Sequence, residues 1–138
     1  MKKKQPTGIV VKKLGVSFTD TRGSITDILE EITTNHVGLI TFNKGAVRGD
    51  HYHKKTTQYD YILEGKIKVQ IRKLKKSAPI TSHIIAQGDL IIIPPGYVHT
   101  FTALTESVMI DCANFPLKQD KDTYRVKSIE EFWVPRSL

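Results

Sequence analysis

The feature that most limits the fold of this chain is its series of short apolar segments, separated by glycine, proline and asparagine. In some segments apolar and polar residues alternate, and in others the apolar residues are consecutive. In residues 66–72, Ile67, Val69 and Ile71 alternate with lysine, glutamine and arginine, as expected for a strand with one buried and one wet face. The apolar run at residues 90–93 is stopped by two prolines, which cannot continue a central strand. Repeated at close intervals, this pattern predicts an all-β sandwich or barrel rather than a parallel sheet with helices.

Two separated stretches of the chain carry three histidines that a β-fold can bring together. His51 and His53 are two positions apart, so on a strand both side chains point to the same face. His99 follows two prolines and a glycine farther along the chain. Three neutral imidazoles and the amide oxygen of Gln58 suit a divalent transition metal such as Zn, Fe, Mn, Ni or Co. We therefore predict that His51, His53, Gln58 and His99 are metal ligands.

Asp60 shares a strand face with Gln58 and is the predicted acidic partner of this site. In the metal interpretation, Asp60 orients a histidine or acts as a base beside the ion. In a metal-free interpretation, His51 removes a proton next to a ketone and His99 stabilises the resulting enolate. Asp60 or Asp111 then orients the base. The residues by themselves leave both interpretations open.

The net charge of +7 is spread over places that favour solvation. Lysines cluster at residues 2–4, at residues 12–13 and at residues 73–76, which read as a chain terminus, a strand start and a hairpin tip. No helix-turn-helix, zinc-finger spacing or aromatic-flanked RNA motif accompanies them. We predict no nucleic-acid partner, and assign the charge to solubility or to attraction of small anions.

The length of 138 residues predicts a single domain over residues 1–138, with residues 1–7 as a disordered basic terminus. Cys112 is the single cysteine, so no internal disulfide can form. No apolar run has the length of a membrane span, and no apolar signal segment follows the first lysines. These features predict a cytoplasmic protein without a membrane partner.

The C-terminal segment, residues 114–138, departs from the strand pattern and is predicted to cover the barrel. Ser128 with Glu131 three residues later is a capping-box signature, which predicts a short C-terminal helix over residues 128–133. Phe132 and Trp133 would pack over an open end or an edge of the barrel.

The two histidine stretches resemble the paired motifs of the cupin family. Residues 45–65 follow the spacing of the first motif, with a glycine at each end, HxH inside, and Gln58 where the family has glutamate. Residues 88–103 follow the second, with PxG and His99 in place and Ala103 where the family has asparagine. Paired motifs in order are far more specific than either alone. The resemblance implies a double-stranded β-helix, the cupin jelly-roll barrel, which is commonly dimeric and holds its site inside.

Within cupins, three segments are similar to the nucleotide-sugar branch, which includes dTDP-4-dehydrorhamnose 3,5-epimerases, 3,4-ketoisomerases and the cupin half of bacterial 2,6-dideoxyhexulose reductases. The segments are FTDTRG at residues 18–23, VRGDHY at residues 47–52 and IPPGYVHTF at residues 93–101. The resemblance implies that Arg22 and Arg48 anchor a nucleotide diphosphate and that His51 is the catalytic base. The epimerases bind no metal, with glutamine in place of His53 and lysine in place of Gln58.

These observations lead to one main hypothesis and two alternatives. The main hypothesis is a small metal-binding cupin that isomerises or epimerises a keto-deoxyhexose carried on a nucleotide, with His51 and Asp60 as catalytic residues. Its partners would be a nucleotide sugar and a second copy of the chain. One alternative is a metal-dependent dioxygenase that uses the same ligands with open positions for oxygen. The other is a non-catalytic cupin that only binds a ligand.

Overall fold

Short antiparallel strands form nearly all of the regular structure in a computed structural model of the chain, which describes residues 6–116 and 121–131. The strands in these residues are β1 (Val10–Lys13), β2 (Phe18–Asp20), β3 (Gly23–Ile25), β4 (His36–Phe42), β5 (Val47–His53), β6 (Gln58–Glu64), β7 (Lys66–Lys73), β8 (Ile80–Ala86), β9 (Asp89–Ile93), β10 (Tyr97–Ala103), β11 (Ser107–Ala113) and β12 (Thr123–Arg125). The prediction of an all-β fold is confirmed.

The strands build two five-stranded sheets and a separate hairpin. The first sheet has the order β1-β9-β6-β11-β4, the second has the order β12-β5-β10-β7-β8, and among the described strands β2 pairs with β3 alone. From β4 to β7, and again from β9 to β11, successive strands lie in alternate sheets. All pairings are antiparallel. This winding is the jelly-roll arrangement, in which two sheets enclose one interior.

The hydrophobic core fills the space between the two sheets. Ile62 and Ile91 of the first sheet meet Ile67, Val69 and Ile71 of the second, and each of these side chains is at most 2% exposed. Burying a side chain of this size contributes about 1.5–3 kcal/mol. A smaller cluster on the outer face of the first sheet is covered by the chain between β3 and β4. The interior is therefore a packed core along most of its length.

The C-terminal residues differ from the sequence prediction. No helix forms within residues 6–116 and 121–131, so none there could span a membrane. The predicted short helix is wrong for its described part, residues 128–131: the Ser128 hydroxyl accepts a hydrogen bond from the Glu131 amide at 3.1 Å, but only a turn follows. Phe132 and Trp133 lie outside the described residues, as do residues 1–5 of the predicted disordered terminus.

Residues 121–131 instead contribute a strand that the sequence did not predict. β12 pairs with β5 and adds an edge to the second sheet. Beyond it, Arg72 donates hydrogen bonds to the carbonyls of Ile129 and Glu130 at 3.1 and 3.2 Å, and the Ile129 side chain is buried. This stretch of the chain is thus tied to the second sheet by both backbone and side-chain contacts.

Candidate active site

A β-bulge in β5 shapes the site. His51 pairs with His99 of β10, but the next pair along the ladder joins Gly49 to Thr100, so Asp50 is an extra residue with no partner in the register. Gly49 has φ of +113° and Asp50 has φ of +55°. A Cβ on Gly49 would lie 2.5 Å from the His99 carbonyl oxygen, so only glycine permits this approach of the two backbones. The Asp50 carboxylate accepts a hydrogen bond from the Thr100 hydroxyl at 2.7 Å.

The bulge decides which side chains face the interior. On a regular strand, Arg48 and His51 would point to opposite faces because they are three positions apart. The extra residue shifts the alternation by one, and both side chains line the same cavity. The bulge therefore places a fixed positive charge and an imidazole on one wall.

The three predicted histidines converge. Ring centroids are separated by 5.1 Å between His51 and His53, 4.7 Å between His51 and His99, and 5.5 Å between His53 and His99. One ring nitrogen from each residue lies within 4.8 Å of the other two. His51 and His53 line the cavity, whereas His99 lies beneath them and is fully buried. The sequence expectation that two distant strands bring three imidazoles together agrees with this geometry.

Hydrogen bonds to backbone carbonyls orient two of the rings. Nδ1 of His99 donates to the Tyr97 carbonyl at 3.0 Å, which leaves Nε2 with a lone pair directed into the cluster. That Nε2 is buried and has no hydrogen-bond partner among the described residues. Burial lowers the pKa of His99 well below its usual value, and His51 and His53 lower it further. His99 is therefore neutral, with an unsatisfied acceptor at the centre of the site.

His53 faces an oxygen atom at each of its two ring nitrogens. Nδ1 lies 3.1 Å from the Asp122 carbonyl oxygen, and Nε2 lies 2.8 Å from the Gln58 amide oxygen. A neutral imidazole carries one proton and can satisfy only one of these oxygens. With the proton on Nε2, His53 donates to the Gln58 oxygen; with the proton on Nδ1, the Nε2 lone pair and the Gln58 oxygen would both be available as metal ligands.

Gln58 joins the histidines to a buried pair of acids on the first sheet. Its amide nitrogen lies 3.3 Å from Asp60 and 3.5 Å from Asp111, which directs its oxygen toward His53. Asp60 and Asp111 are cross-strand partners. Burial raises the pKa of Asp60 well above its usual value, and the hydrogen bond and charge of Asp111 raise it further. Asp60 therefore keeps its proton under conditions where exposed carboxyl groups are ionised.

The two acids have different access to the cavity. Asp111 lines the wall beside Gln58, whereas Asp60 is fully buried behind Gln58 and lies outside the lining. On its other side, Asp111 lies 3.5 Å from His36 Nε2. Of the two, only Asp111 can meet a bound molecule directly. A catalytic role for Asp60 stays a prediction, and in this geometry it would act through its neighbours.

The cavity has a volume of about 460 Å³ and opens between the two sheets. Its floor is polar, and its remaining walls include Ile40, Phe42, Phe101 and Met109. Arg48 lines the rim, donates to the Thr41 carbonyl at 3.1 Å and lies 5.3 Å from the centre of the Phe42 ring. A volume of this size accommodates a sugar or another small molecule.

Arg125 is a lining residue that the sequence analysis missed. It lies on β12 directly opposite His51, and Thr123 on the same strand also lines the cavity. β12 is only three residues long, so it has no alternation that would reveal it in the sequence. The rim therefore has two guanidinium groups, Arg48 and Arg125, which suit a phosphate or carboxylate.

Arg22 lies elsewhere. It is on the β2–β3 hairpin, where its guanidinium and backbone amide donate to Asp20, and it does not line the histidine cavity. The Arg22 interaction lowers the pKa of Asp20. Within this chain the structure therefore does not bring Arg22 to Arg48, and an anion-binding role for Arg22 stays a prediction.

The donor set fits a divalent transition metal. Imidazole nitrogens and an amide oxygen are ligands that such ions accept. His99 Nδ1 donates to a backbone carbonyl, and His53 Nδ1 lies 3.1 Å from another that can hold its proton there. The unsatisfied Nε2 of His99 would gain a partner from a cation in the cluster, and His53 Nε2 and the Gln58 oxygen could bind the same cation if the His53 proton lies on Nδ1. His51, His53, Gln58 and His99 are the residues that would hold it.

A jelly roll of two antiparallel sheets with inward-facing histidines on β5 and β10 is the fold that cupins have. More particularly, the chain belongs to the family described as the polysaccharide biosynthesis C-terminal domain, whose model matches residues 18–124. No curated protein sequence matches the chain significantly.

Solved structures with the same fold include enzymes that act on nucleotide sugars. A dTDP-4-dehydrorhamnose 3,5-epimerase from Sulfolobus tokodaii matches with a TM-score of 0.73 and 21% identity over 97% of this chain and 85% of that one. A dTDP sugar isomerase from Desulfovibrio desulfuricans G20 matches with a TM-score of 0.74 and 17% identity, covering 89% and 86%. A mutant of the 3,4-ketoisomerase QdtA from Thermoanaerobacterium thermosaccharolyticum, solved with TDP-4-keto-6-deoxyglucose, matches with a TM-score of 0.69 and 21% identity, covering 88% and 89%. At these identities the likeness establishes the shared fold.

Proposed function

We propose that the chain is an isomerase or epimerase that acts on a keto-deoxyhexose carried on a nucleotide. The observation that carries the proposal is the cavity itself, with imidazoles at its floor and two arginines at its rim. A sugar nucleotide combines a neutral ring with a diphosphate, and the cavity offers a matching separation of a polar, proton-accepting floor from a positively charged rim. The solved structures with this fold include an epimerase, an isomerase and a ketoisomerase of nucleotide sugars, which supports the same substrate class.

The proposal includes a divalent transition metal held by His51, His53, Gln58 and His99. A bound ion would supply polarisation of a substrate carbonyl, which makes the neighbouring C–H group more acidic. Because these four ligands are neutral, they would leave the charge of the ion undiminished. Asp111, which lines the cavity beside Gln58, is placed to accept the proton, and Asp60 lies directly opposite it across the strand pair.

Without a metal, His51 is the proposed base. It lines the cavity and lies against His99, but Nε2 of His99 is an acceptor in this geometry and, contrary to the sequence prediction, cannot donate a hydrogen bond to an enolate. One nitrogen of His51 cannot both bind an ion and take a proton. Metal titration therefore separates the two mechanisms while leaving the reaction class unchanged.

Solvent deuterium exchange tests the reaction class. We expect TDP-4-keto-6-deoxyglucose or a related keto-sugar nucleotide to gain deuterium next to the ketone in heavy water, as followed by mass spectrometry. His51→Asn should abolish this exchange, whereas His83→Asn on the edge strand β8 should retain it because His83 lies outside the cavity. A panel of keto-sugar nucleotides that neither bind nor exchange would contradict the proposed function.

Titration of metal-free protein with Co²⁺ tests the ligand set. We expect one site per chain, with an absorption spectrum of cobalt bound to nitrogen and oxygen ligands. His53→Ala should weaken binding strongly, and His83→Ala serves as the matched control. Equal binding by wild type and His53→Ala would remove the metal from the proposal.

A homodimer and a cytoplasmic location belong to the same proposal. Val37 and Leu39 on the edge strand β4 are each 67% exposed, and Phe18 and Ile25 project from the hairpin. A second copy of the chain would cover such apolar surface. Sedimentation at micromolar concentration should give twice the mass of the chain, and a monomer there would contradict the dimer.

A further inference from the structure

Asp122, the residue before β12, makes contacts that no sequence motif predicts. The carboxylate of Asp122 accepts hydrogen bonds from the backbone amides of Lys54, Lys55 and Thr56 at 2.9–3.1 Å. It also accepts one from the Thr56 hydroxyl at 2.8 Å. Three successive amides directed at one anion form the kind of concave turn that binds phosphates in other proteins. Here the anion is part of the chain.

The turn held by Asp122 connects the two halves of the candidate site. It joins the end of β5, where His53 lies, to the start of β6, where Gln58 lies, and so crosses from the second sheet to the first. The 2.8 Å contact between His53 Nε2 and the Gln58 oxygen depends on the path of this turn. A free turn would let the two ligands separate.

Asp122 also contacts the imidazole itself. Its backbone carbonyl lies 3.1 Å from His53 Nδ1, and the following residue, Thr123, pairs with His53 across the β5–β12 ladder. The carboxylate fixes the position of residue 122, and that position puts the carbonyl within hydrogen-bond distance of Nδ1, where it can accept the ring proton. Hydrogen-bond acceptors of this kind set the tautomer of a metal-binding histidine and strengthen its other nitrogen as a ligand.

We propose that Asp122 is a positioning residue, which holds His53 in the Nδ1–H tautomer and keeps His53 and Gln58 within reach of one ion. The part that concerns the ion rests on the proposed function. The part that concerns the tautomer does not depend on any bound group. Asp122 does not line the cavity, so it acts through His53 and the turn and not on a substrate.

The test compares three variants with a matched control. Asp122→Ala removes all four hydrogen bonds to the carboxylate. Asp122→Asn removes the negative charge and some of these four hydrogen bonds. Thr56→Val removes only the hydrogen bond from the Thr56 hydroxyl. Asp89→Asn is the control. The Asp89 carboxylate likewise accepts a hydrogen bond from a backbone amide, that of Ala86 at 2.8 Å. Asp89 is on β9, at the end of the β6–β9 ladder opposite to Gln58.

Two measurements are made on each variant, one of the His53 tautomer and one of cobalt affinity. Nitrogen-15 NMR of the metal-free protein reports which nitrogen of His53 carries the proton, and Co²⁺ titration reports the dissociation constant. Asp122→Ala should lose the Nδ1–H preference and raise the dissociation constant by roughly tenfold to a hundredfold. Asp122→Asn should have a smaller effect and Thr56→Val the smallest. Asp89→Asn should match wild type in both measurements.

The outcomes separate the two proposals. If wild type binds no cobalt, the metal part of the proposed function fails, and the NMR measurement still decides the role of Asp122. If Asp122→Ala does not fold, Asp122→Asn and Thr56→Val decide it. Variants that fold and keep both the wild-type tautomer and the wild-type cobalt affinity would overturn the proposal.

Discussion

β10 has two neighbours, and its pairing with them is unequal. With β7 it forms seven consecutive pairs from Tyr97–Lys73 to Ala103–Ile67 without a break. With β5 it forms four pairs, interrupted between His99 and Thr100. On the β7 side the inward side chains are buried aliphatic residues, whereas on the β5 side they are His51, His53 and, beyond the bulge, Arg48.

The difference shows how one sheet supplies both a core and a site. Regular pairing preserves the alternation, so every second residue of β7 fills the interior at close packing. The bulge interrupts the alternation and allows polar residues at unusual spacing to face inward. Strand β5 therefore forms the functional side of the sheet, and β7 forms the side that stabilises it. Four substitutions or conditions test this division.

The largest effect on stability should come from the regular side. Ile67→Ala leaves a cavity in the core next to Ala103 and should lower the free energy of unfolding by about 2–5 kcal/mol, as measured by urea denaturation. The cobalt dissociation constant of the folded variant should remain that of wild type. Ile67 is on β7 and pairs with Ala103, at the end of β10 away from His99. Weaker cobalt binding by the folded variant would show that the two sides are coupled.

Gly49→Ala should affect both stability and binding. The new Cβ would lie 2.5 Å from the His99 carbonyl oxygen at φ of +113°, so the bulge must rearrange. We expect a loss of about 1–3 kcal/mol, together with loss of cobalt binding. Gly45→Ala is the control, because φ is +84° there but no neighbour lies within 4 Å. It should cost about 1–2 kcal/mol and leave binding intact. Intact binding in Gly49→Ala would show that the bulge does not position the histidines.

The pH dependence of stability should report the buried histidine. Burial lowers the pKa of His99 in the native chain. Below about pH 6.5, His99 is therefore protonated in the unfolded chain but stays neutral in the native chain. Metal-free protein should therefore lose stability as the pH falls from about 6.5, by at most about 1.4 kcal/mol per pH unit for this one group. His99→Phe should remove this contribution from the curve. An identical pH dependence in both proteins would contradict the neutral state of His99.

The smallest expected effect is an increase in stability, in the variant Asp60→Asn. Burial raises the pKa of Asp60, so above about pH 3.8 the unfolded chain releases a proton that native Asp60 keeps, and the protein loses stability as the pH rises. Asp60→Asn keeps a donor toward Asp111 without that cost. It should stabilise the protein at pH 8 by about 0.5–1 kcal/mol, and the gain should shrink toward pH 4. Thermal denaturation at both pH values measures this gain, and a loss of stability at pH 8 would contradict the protonated state of Asp60.

Much of this arrangement could be read from the sequence, because it depends on neighbours along the chain. The alternation in β7, the stop after β9, the shared face of His51 and His53, and the spacing that leads to His99 are all local patterns. The predicted helix at residues 128–133 failed in its described part because a capping signal alone does not supply packing for a helix. β12 was missed because three residues are too few to show a period.

The sequence by itself determined the class of fold and the residues from which the site is drawn, since strand alternation and motif spacing are encoded within a few neighbouring positions. Only the tertiary structure decided that Arg125 meets the rim, that Arg22 lies away from it, and that Asp122 holds His53. Each of these depends on strands far apart in the chain. The bulge at Asp50 exists because the backbone of β10 approaches Gly49 at one point, and no local pattern specifies that approach.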